Sequence, residues 1–277
     1  MDIIQGIIIG IIQGLTEFLP VSSSAHLVLI QKLLGVESSL SFDVFLHLAT
    51  LLAVVIFFRA DIYKIICAWW ASIGDIMQHR FLEGFYSDSY KRLSWYVILA
   101  TIPVGIVGVL FESHIDSLFA GELYVPGFFL FVTGTILYLS QRIASGRIDL
   151  NHMGFFQPLF MGLAQACAIM PGLSRSGTTI AAGLVSGLDK DFAAKFSFIL
   201  SIPAIFGAFI VQLKDIGTSI GGDAGPIFLG FVASFVSGYF AIKWLITIIQ
   251  NKNLDIFSYY CWIMGIVVFM ASIIHIL

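Results

Sequence analysis

QGLTEFLPVSSSAH, residues 13–26, interrupts an N-terminal stretch made otherwise of Ile, Gly and Leu. Its reading decides the fold. Pro20 disfavours helix in the residue before it, so a helix entering this stretch ends there. Ser22, Ser23 and Ser24 follow, and serine is a preferred N-cap for a new helix. The apolar segment Asp2–Leu34 is therefore predicted to be two half-helices of about ten to fifteen residues, each shorter than the roughly 20 needed to span a bilayer. Irregular backbone at membrane depth is tolerated only where protein or a water-filled cavity surrounds it. The segment then reads as a re-entrant helical hairpin whose tip gathers polar groups. Gln13 and Glu17 are four residues apart and share a helix face, as do Ser22 and His26.

Composition supports a membrane setting. Of 277 residues 58% are hydrophobic and 11% charged, with a mean hydropathy of +0.97; soluble domains carry about 25% charged residues. Net charge is −3, so no basic field suggests nucleic acid. Cys67, Cys167 and Cys261 stand singly in apolar stretches with no CxxC spacing, which argues against a disulfide framework or a cysteine metal site. The opening MDIIQGIIIG has no basic n-region and reads as part of the hairpin rather than a cleaved signal. Six stretches are long and apolar enough to span: Ser41–Phe58, Leu93–Phe111, Tyr124–Ser140, Phe192–Leu213, Pro226–Ile249 and Ser258–Leu277. Ile65–Met77, with its Trp pair, reads as an interfacial helix.

A second broken segment, Phe155–Leu188, turns at PGLSRSG. GLTEFLPVSSS from Gly14 and GLAQACAIMPGLSRS from Gly162 share Gly-Leu-x-Glu/Gln, then Pro, then a serine cluster, and three spans follow each. Lys and Arg mark cytoplasmic loops. Arg59, Lys64, Arg80, Lys91 and Arg92 lie in one loop and Arg142 and Arg147 in another, two spans later. This bias predicts both loops and Ser87 on the inside, Asp223 and both termini outside, and hairpins entering from opposite sides. The expected fold is all-α and polytopic, with about six transmembrane helices plus two re-entrant hairpins arranged as inverted repeats, in one membrane domain with halves of approximately 1–141 and 154–277. In such folds the site sits near the midplane, where discontinuous helices meet.

The second tip adds Ser174, Arg175, Ser176, Thr178 and Thr179 at a helix start, with Gly172 and Gly177 permitting tight backbone. Two helix N-termini and one Arg form an anion site. Arg offers a planar fork of donors that suits phosphate oxygens. A charge at the bilayer centre costs at least about 2.5 kcal/mol on insertion scales, so Arg175 calls for a role: anion binding, or a structural clamp on Glu17. Simpler readings cover other residues. His47 and His275 read as packing histidines, Lys243 as snorkelling, Asp189, Lys190 and Asp191 as a solvated helix end, and Asp61, Glu83 and Asp88 as solvated loop charges.

At these two motifs the sequence resembles the bacitracin-resistance-type undecaprenyl pyrophosphate phosphatases. QGLTEFLPVSSSAH fits that family's (Glu/Gln)-x-x-x-Glu pattern followed by Pro-x-Ser-Ser and a His, and PGLSRSGTT at 171–179 fits its Pro-Gly-x-Ser-Arg-Ser-x-x-Thr pattern. Position 13 is Gln, which removes a charge. The resemblance spans nearly the whole chain. It implies a multi-pass cell-membrane enzyme that hydrolyses undecaprenyl diphosphate to undecaprenyl phosphate and phosphate, recycling the lipid carrier for cell-wall glycans. It also implies a divalent cation (Mg²⁺ or Ca²⁺) and an active site open to the outer side. Carried over, Glu17, Ser23, His26, Ser174, Arg175 and Thr179 fall on functional positions. The residues themselves suit the same chemistry. Arg175 and the helix starts would bind a polyprenyl diphosphate lipid, with Ser22, Ser174, Ser176, Thr178 and Thr179 lining it. Ser23 or a water would attack, His26 or Glu17 would manage the proton, and Glu17 with Gln13 would hold the cation. A flippase or transporter competes, because broken inverted repeats are also a transporter design. An intramembrane serine hydrolase is a third reading, disfavoured by Arg175 beside the serines. A homodimer is left open.

Overall fold

Proline and serine punctuation set the helix ends in the first hairpin. In the computed structural model, which describes residues 1–36, 40–111, 124–216, 224–251 and 253–273, helix α1 (Ile3–Phe18) opens with a capping box between Asp2 and Gln5 and stops just before Pro20. Helix α2 (Ser23–Leu33) starts on Ser22, whose hydroxyl accepts from Ala25 N–H. At about 1.5 Å per residue α1 reaches about 24 Å and α2 about 16 Å, short of a bilayer core of about 30 Å. The second broken segment repeats this: α8 (Phe156–Cys167), a turn through Pro171, and α9 (Arg175–Val185) capped by Ser174 on Gly177 N–H.

The other helices are α3 (Leu40–Phe57), α4 (Arg59–Met77), α5 (Phe81–Ser87), α6 (Ser89–Leu110), α7 (Tyr124–Ile143), α10 (Lys190–Ile216), α11 (Ala224–Asn251) and α12 (Asp255–Ile273). The described residues are helical throughout apart from turns and one isolated bridge between Ile148 and Leu188. Among the described residues α6, α7, α10, α11 and α12 are long and apolar enough to cross a membrane, five helices where six were expected; α3 and α4 meet that measure only together, as a pair bent by 82°. The predicted stretch Ile65–Met77 is thus the distal part of a longer helix that turns away from α3. His275 and Asp223 lie outside the described residues.

Side-chain bonds show which helix ends share an end of the bundle. Lys195 donates to Asp61 at 2.7 Å, Arg92 to the Asn151 carbonyl at 2.7 Å, Arg142 to Asp255 at 3.1 Å, and Lys190 to Asn253 at 3.5 Å. These tie 59–92, 141–153, 189–195 and 253–255 into one polar end. Asp61, expected to be solvated, is instead clamped by Lys195 and by the Tyr90 hydroxyl at 3.2 Å. Asp88 caps α6. At the opposite end, Gln5 donates to the Leu34 carbonyl at 3.2 Å, and Gly6 lies against Pro226. It follows that α1, α3 and α11 run toward the polar end, whereas α6, α8, α10 and α12 run away from it.

Lipid tails are as apolar as leucine, so membrane helices associate through close backbone approach at small residues. Gly6, Gly10 and Gly14 present one such stripe on α1 to Pro226, Gly230 and Ser234 on α11; a Cβ at Gly6 would sit 2.6 Å from the Pro226 carbonyl oxygen. Gly162 on α8 is pressed in the same way on Ala100 of α6. Gly127 and Gly134 admit α12 alongside α7 in the antiparallel sense, 127 by Gly265 and Phe269, 134 by Ser258 and Trp262. Behind the first tip, Phe18, Phe196 and Phe198 are fully buried, and Phe18 meets Phe198 edge-on with centroids 5.7 Å apart.

Candidate active site

The two hairpin tips meet. Ser176 donates to the Leu19 carbonyl at 3.1 Å, and Gly172 N–H donates to Ser24 Oγ at 3.2 Å, so each tip's serine bonds the other tip's backbone. Gly172 has φ +91, and a Cβ there would overlap the Pro126 carbonyl, so both the left-handed backbone and the close approach require glycine. The Ser174 amide is held by Thr133 Oγ1 at 3.0 Å.

Glu17 is the centre. Its Oε2 accepts from Gln13 Nε2 at 2.9 Å and from the Ser23 hydroxyl at 2.7 Å, and its Oε1 accepts from Arg175 Nη2 at 2.6 Å. The Glu17 side chain is only 6% exposed and Arg175 16%, so this is an ion pair inside the protein rather than a solvated one. Removing one partner of such a pair leaves an uncompensated charge. Three buried atoms here have no protein partner: Arg175 Nη1, Gln13 Oε1 and Thr178 Oγ1. Buried polar groups are normally satisfied, so these atoms are free to receive a ligand: Nη1 and Thr178 Oγ1 can donate to an anion, and Gln13 Oε1 can accept or ligate.

Ser22 adopts φ 67 and caps α2. Ser174 Oγ caps α9 and lies 3.2 Å from Ser176 Oγ. Thr179 Oγ1 bonds the Arg175 carbonyl at 2.8 Å and Ser197 Oγ at 2.6 Å, which locks the start of α9 to α10. His26 belongs to the tip, but its ring nitrogens face the Ser22 carbonyl at 2.8 Å and the Tyr260 hydroxyl at 2.6 Å. Ser23 therefore has Glu17, not His26, as its hydrogen-bond partner.

Two residues escaped the reading of the sequence. His47, expected to be a packing residue, places Nε2 at 3.7 Å from Glu17 Oε2 and is 36% exposed, with Nδ1 set by the Asp43 carbonyl at 2.7 Å. Asp43 in turn accepts from Gln31 at 2.6 Å. The signal available was the spacing of Asp43 and His47, four apart on one face of an apolar helix. Tyr260 carried no local signal.

Comparison with known proteins accords with this geometry. The family model described as bacitracin resistance protein BacA matches residues 6–267. Curated relatives named undecaprenyl-diphosphatase include one from Methanobrevibacter smithii, 73% identical over 275 residues and covering 99% of both chains. Others are from Methanosphaera stadtmanae, 45% identical over 99% of both chains, and Halothermothrix orenii, 43% identical over 98% of this chain and 99% of the relative.

Proposed function

The chain belongs to the bacitracin resistance protein BacA family, and on that footing we propose that it is an integral membrane phosphatase, cleaving undecaprenyl diphosphate to undecaprenyl phosphate and inorganic phosphate. The observation that carries this reading is the buried Glu17–Arg175 pair with Nη1 left free between two helix N-termini. That arrangement offers donors to phosphate oxygens and a carboxylate beside a hydroxyl. Ser23 is the nucleophile: its Oγ attacks the terminal phosphorus, the bond from that phosphorus to the bridging oxygen breaks, and prenyl phosphate departs. The Ser23 proton passes to Glu17 Oε2, toward which it already points at 2.7 Å. Water then cleaves the seryl phosphate and releases inorganic phosphate. Freed lipid phosphate re-enters cell-wall glycan synthesis.

A hard divalent cation such as Mg²⁺ or Ca²⁺ fits the donor set. Glu17 Oε1 accepts one bond and retains a lone pair, and buried Gln13 Oε1 accepts none. Among the described residues no group of three or more His, Cys, Asp or Glu could hold a metal, so water and substrate oxygens would complete its shell. When bound, the cation supplies positive charge against the diphosphate. Glu17 and Gln13 would hold it.

We also propose that the two halves, approximately 1–141 and 154–277, are inverted repeats, and that the site opens outward. Support for the repeat is directional: α1 runs toward the polar end and α8 away from it. Support for the opening is the line of Glu17, His47, Asp43 and Gln31, which leads from the tip toward the end of the bundle opposite the Lys- and Arg-rich one. The test of function is phosphate release by the purified protein from a polyprenyl diphosphate in detergent, where no compartments exist. Stoichiometric release of inorganic phosphate is expected. A flippase would release none, and that outcome would overturn the reading.

A further inference from the structure

His26 is buried at the first tip, 8% exposed, and both of its ring nitrogens are engaged. A carbonyl oxygen has only lone pairs, so the nitrogen 2.8 Å from the Ser22 carbonyl must carry a proton. In the neutral ring Nε2 is then bare and needs a donor. The Tyr260 hydroxyl, 2.6 Å away, is that donor. Its ring also lies nearly parallel to the imidazole, at 12° with centroids 5.7 Å apart. Ser22, whose carbonyl aims at His26, is in the left-handed region at φ 67, a costly conformation for a residue other than glycine. Tyr260 comes from α12, which also holds this tip through Cys261 Sγ and the Pro20 carbonyl at 3.4 Å.

We propose that Tyr260 is a positioning residue for His26: its hydroxyl holds the imidazole in the tautomer with the proton on Nδ1 and fixes the orientation of the ring at the first tip. The role in turnover rests on the phosphatase reading; the tautomer does not.

The test uses full-length protein labelled with ¹⁵N-histidine, at alkaline pH where the ring is neutral. Nitrogen shifts distinguish the two tautomers. In the unsubstituted protein His26 is expected wholly as the Nδ1–H form, and Tyr260→Phe, which keeps the ring and loses the hydroxyl, is expected to mix the forms. The same variant should lower kcat by about 10-fold, with KM within about twofold. In a His26→Ala background Tyr260→Phe should cost nothing further. An Nε2–H tautomer in the unsubstituted protein, identical spectra with and without the hydroxyl, or effects of the two substitutions that multiply would each overturn the proposal. A protein that releases no phosphate but shows the expected tautomers would sink the phosphatase reading and leave the positioning of His26 standing.

Discussion

Glu17 receives three donors, and Arg175 supplies the only full charge among them, through one arm of its fork. The second arm, Nη1, is buried with no partner. Arg175→Lys preserves the charge opposite Glu17 but cannot offer two donors in a plane. Turnover is expected to fall by about 10²-fold while the thermal midpoint changes little, because the ion pair survives. Phosphate release and thermal unfolding of the same preparation check both halves of that statement; near-normal turnover would mean that the clamp on Glu17 is the whole role of Arg175. The residues of this centre were legible because their chemistry is out of place: a carboxylate, a guanidinium and clustered hydroxyls inside apolar segments each demand an explanation. His47 was not, since a single imidazole in a spanning helix satisfies itself locally as readily as it serves a site. Tyr260 was not, since its partner is brought near only by the packing of α12 on the first tip, and no spacing rule reaches across that distance.

At the level of elements, the hairpins were the most readable part of the chain. Proline and serine break an apolar run at Pro20 and at Pro171, and each is followed by a capping serine that starts a helix. Ending the span at Phe58 and reading Ile65–Met77 as interfacial anticipated that α4 leaves the line of α3, but Phe58 and Arg59 carry neither proline nor glycine, so nothing local gave the 82° angle. Nor was the partner of α1 readable. The stripe Gly6, Gly10, Gly14 announces a close contact but not with whom; the structure shows α11. A side chain at Gly10 would overlap the Gly230 carbonyl, which is backbone and cannot turn aside. Gly10→Leu should therefore wedge α1 from α11, displace the Glu17 tip, and lower both thermal stability and activity, by about 2 kcal/mol or more in stability. Gly74 in α4 is the control: nothing lies within 4 Å of its added Cβ. Gly74→Ala should leave activity intact and, by helix propensity, stabilise by roughly 0.5–1 kcal/mol. Equal effects from the two substitutions would show that the stripe is not a packing surface.

For the whole molecule, the distribution of charge and the direction of the helices make one statement about orientation. Arg59, Lys64, Arg80, Lys91, Arg92, Arg142, Arg147, Lys190 and Lys195 gather at one end of the bundle; Lys32 falls toward the other. Short loops rich in Lys and Arg stay in the cytoplasm, so the first hairpin is expected to enter from outside and the second from inside, and the two tips meet within a single chain. Ser87 ends α5 at the basic end and Ala224 begins α11 at the other; both are exposed. With Cys67, Cys167 and Cys261 replaced, Ser87→Cys and Ala224→Cys give one reporter at each end. A membrane-impermeant maleimide should label Ala224→Cys in intact cells and Ser87→Cys only after the membrane is opened. The reverse pattern would place the Gln31–Asp43–His47 line on the cytoplasmic side and the site with it. Labelling of both from one side would contradict the helix directions themselves, since α11 crosses between these ends and the pairing of α1 with α11 through Gly6, Gly10 and Gly14 fixes the first hairpin to the same end as Ala224.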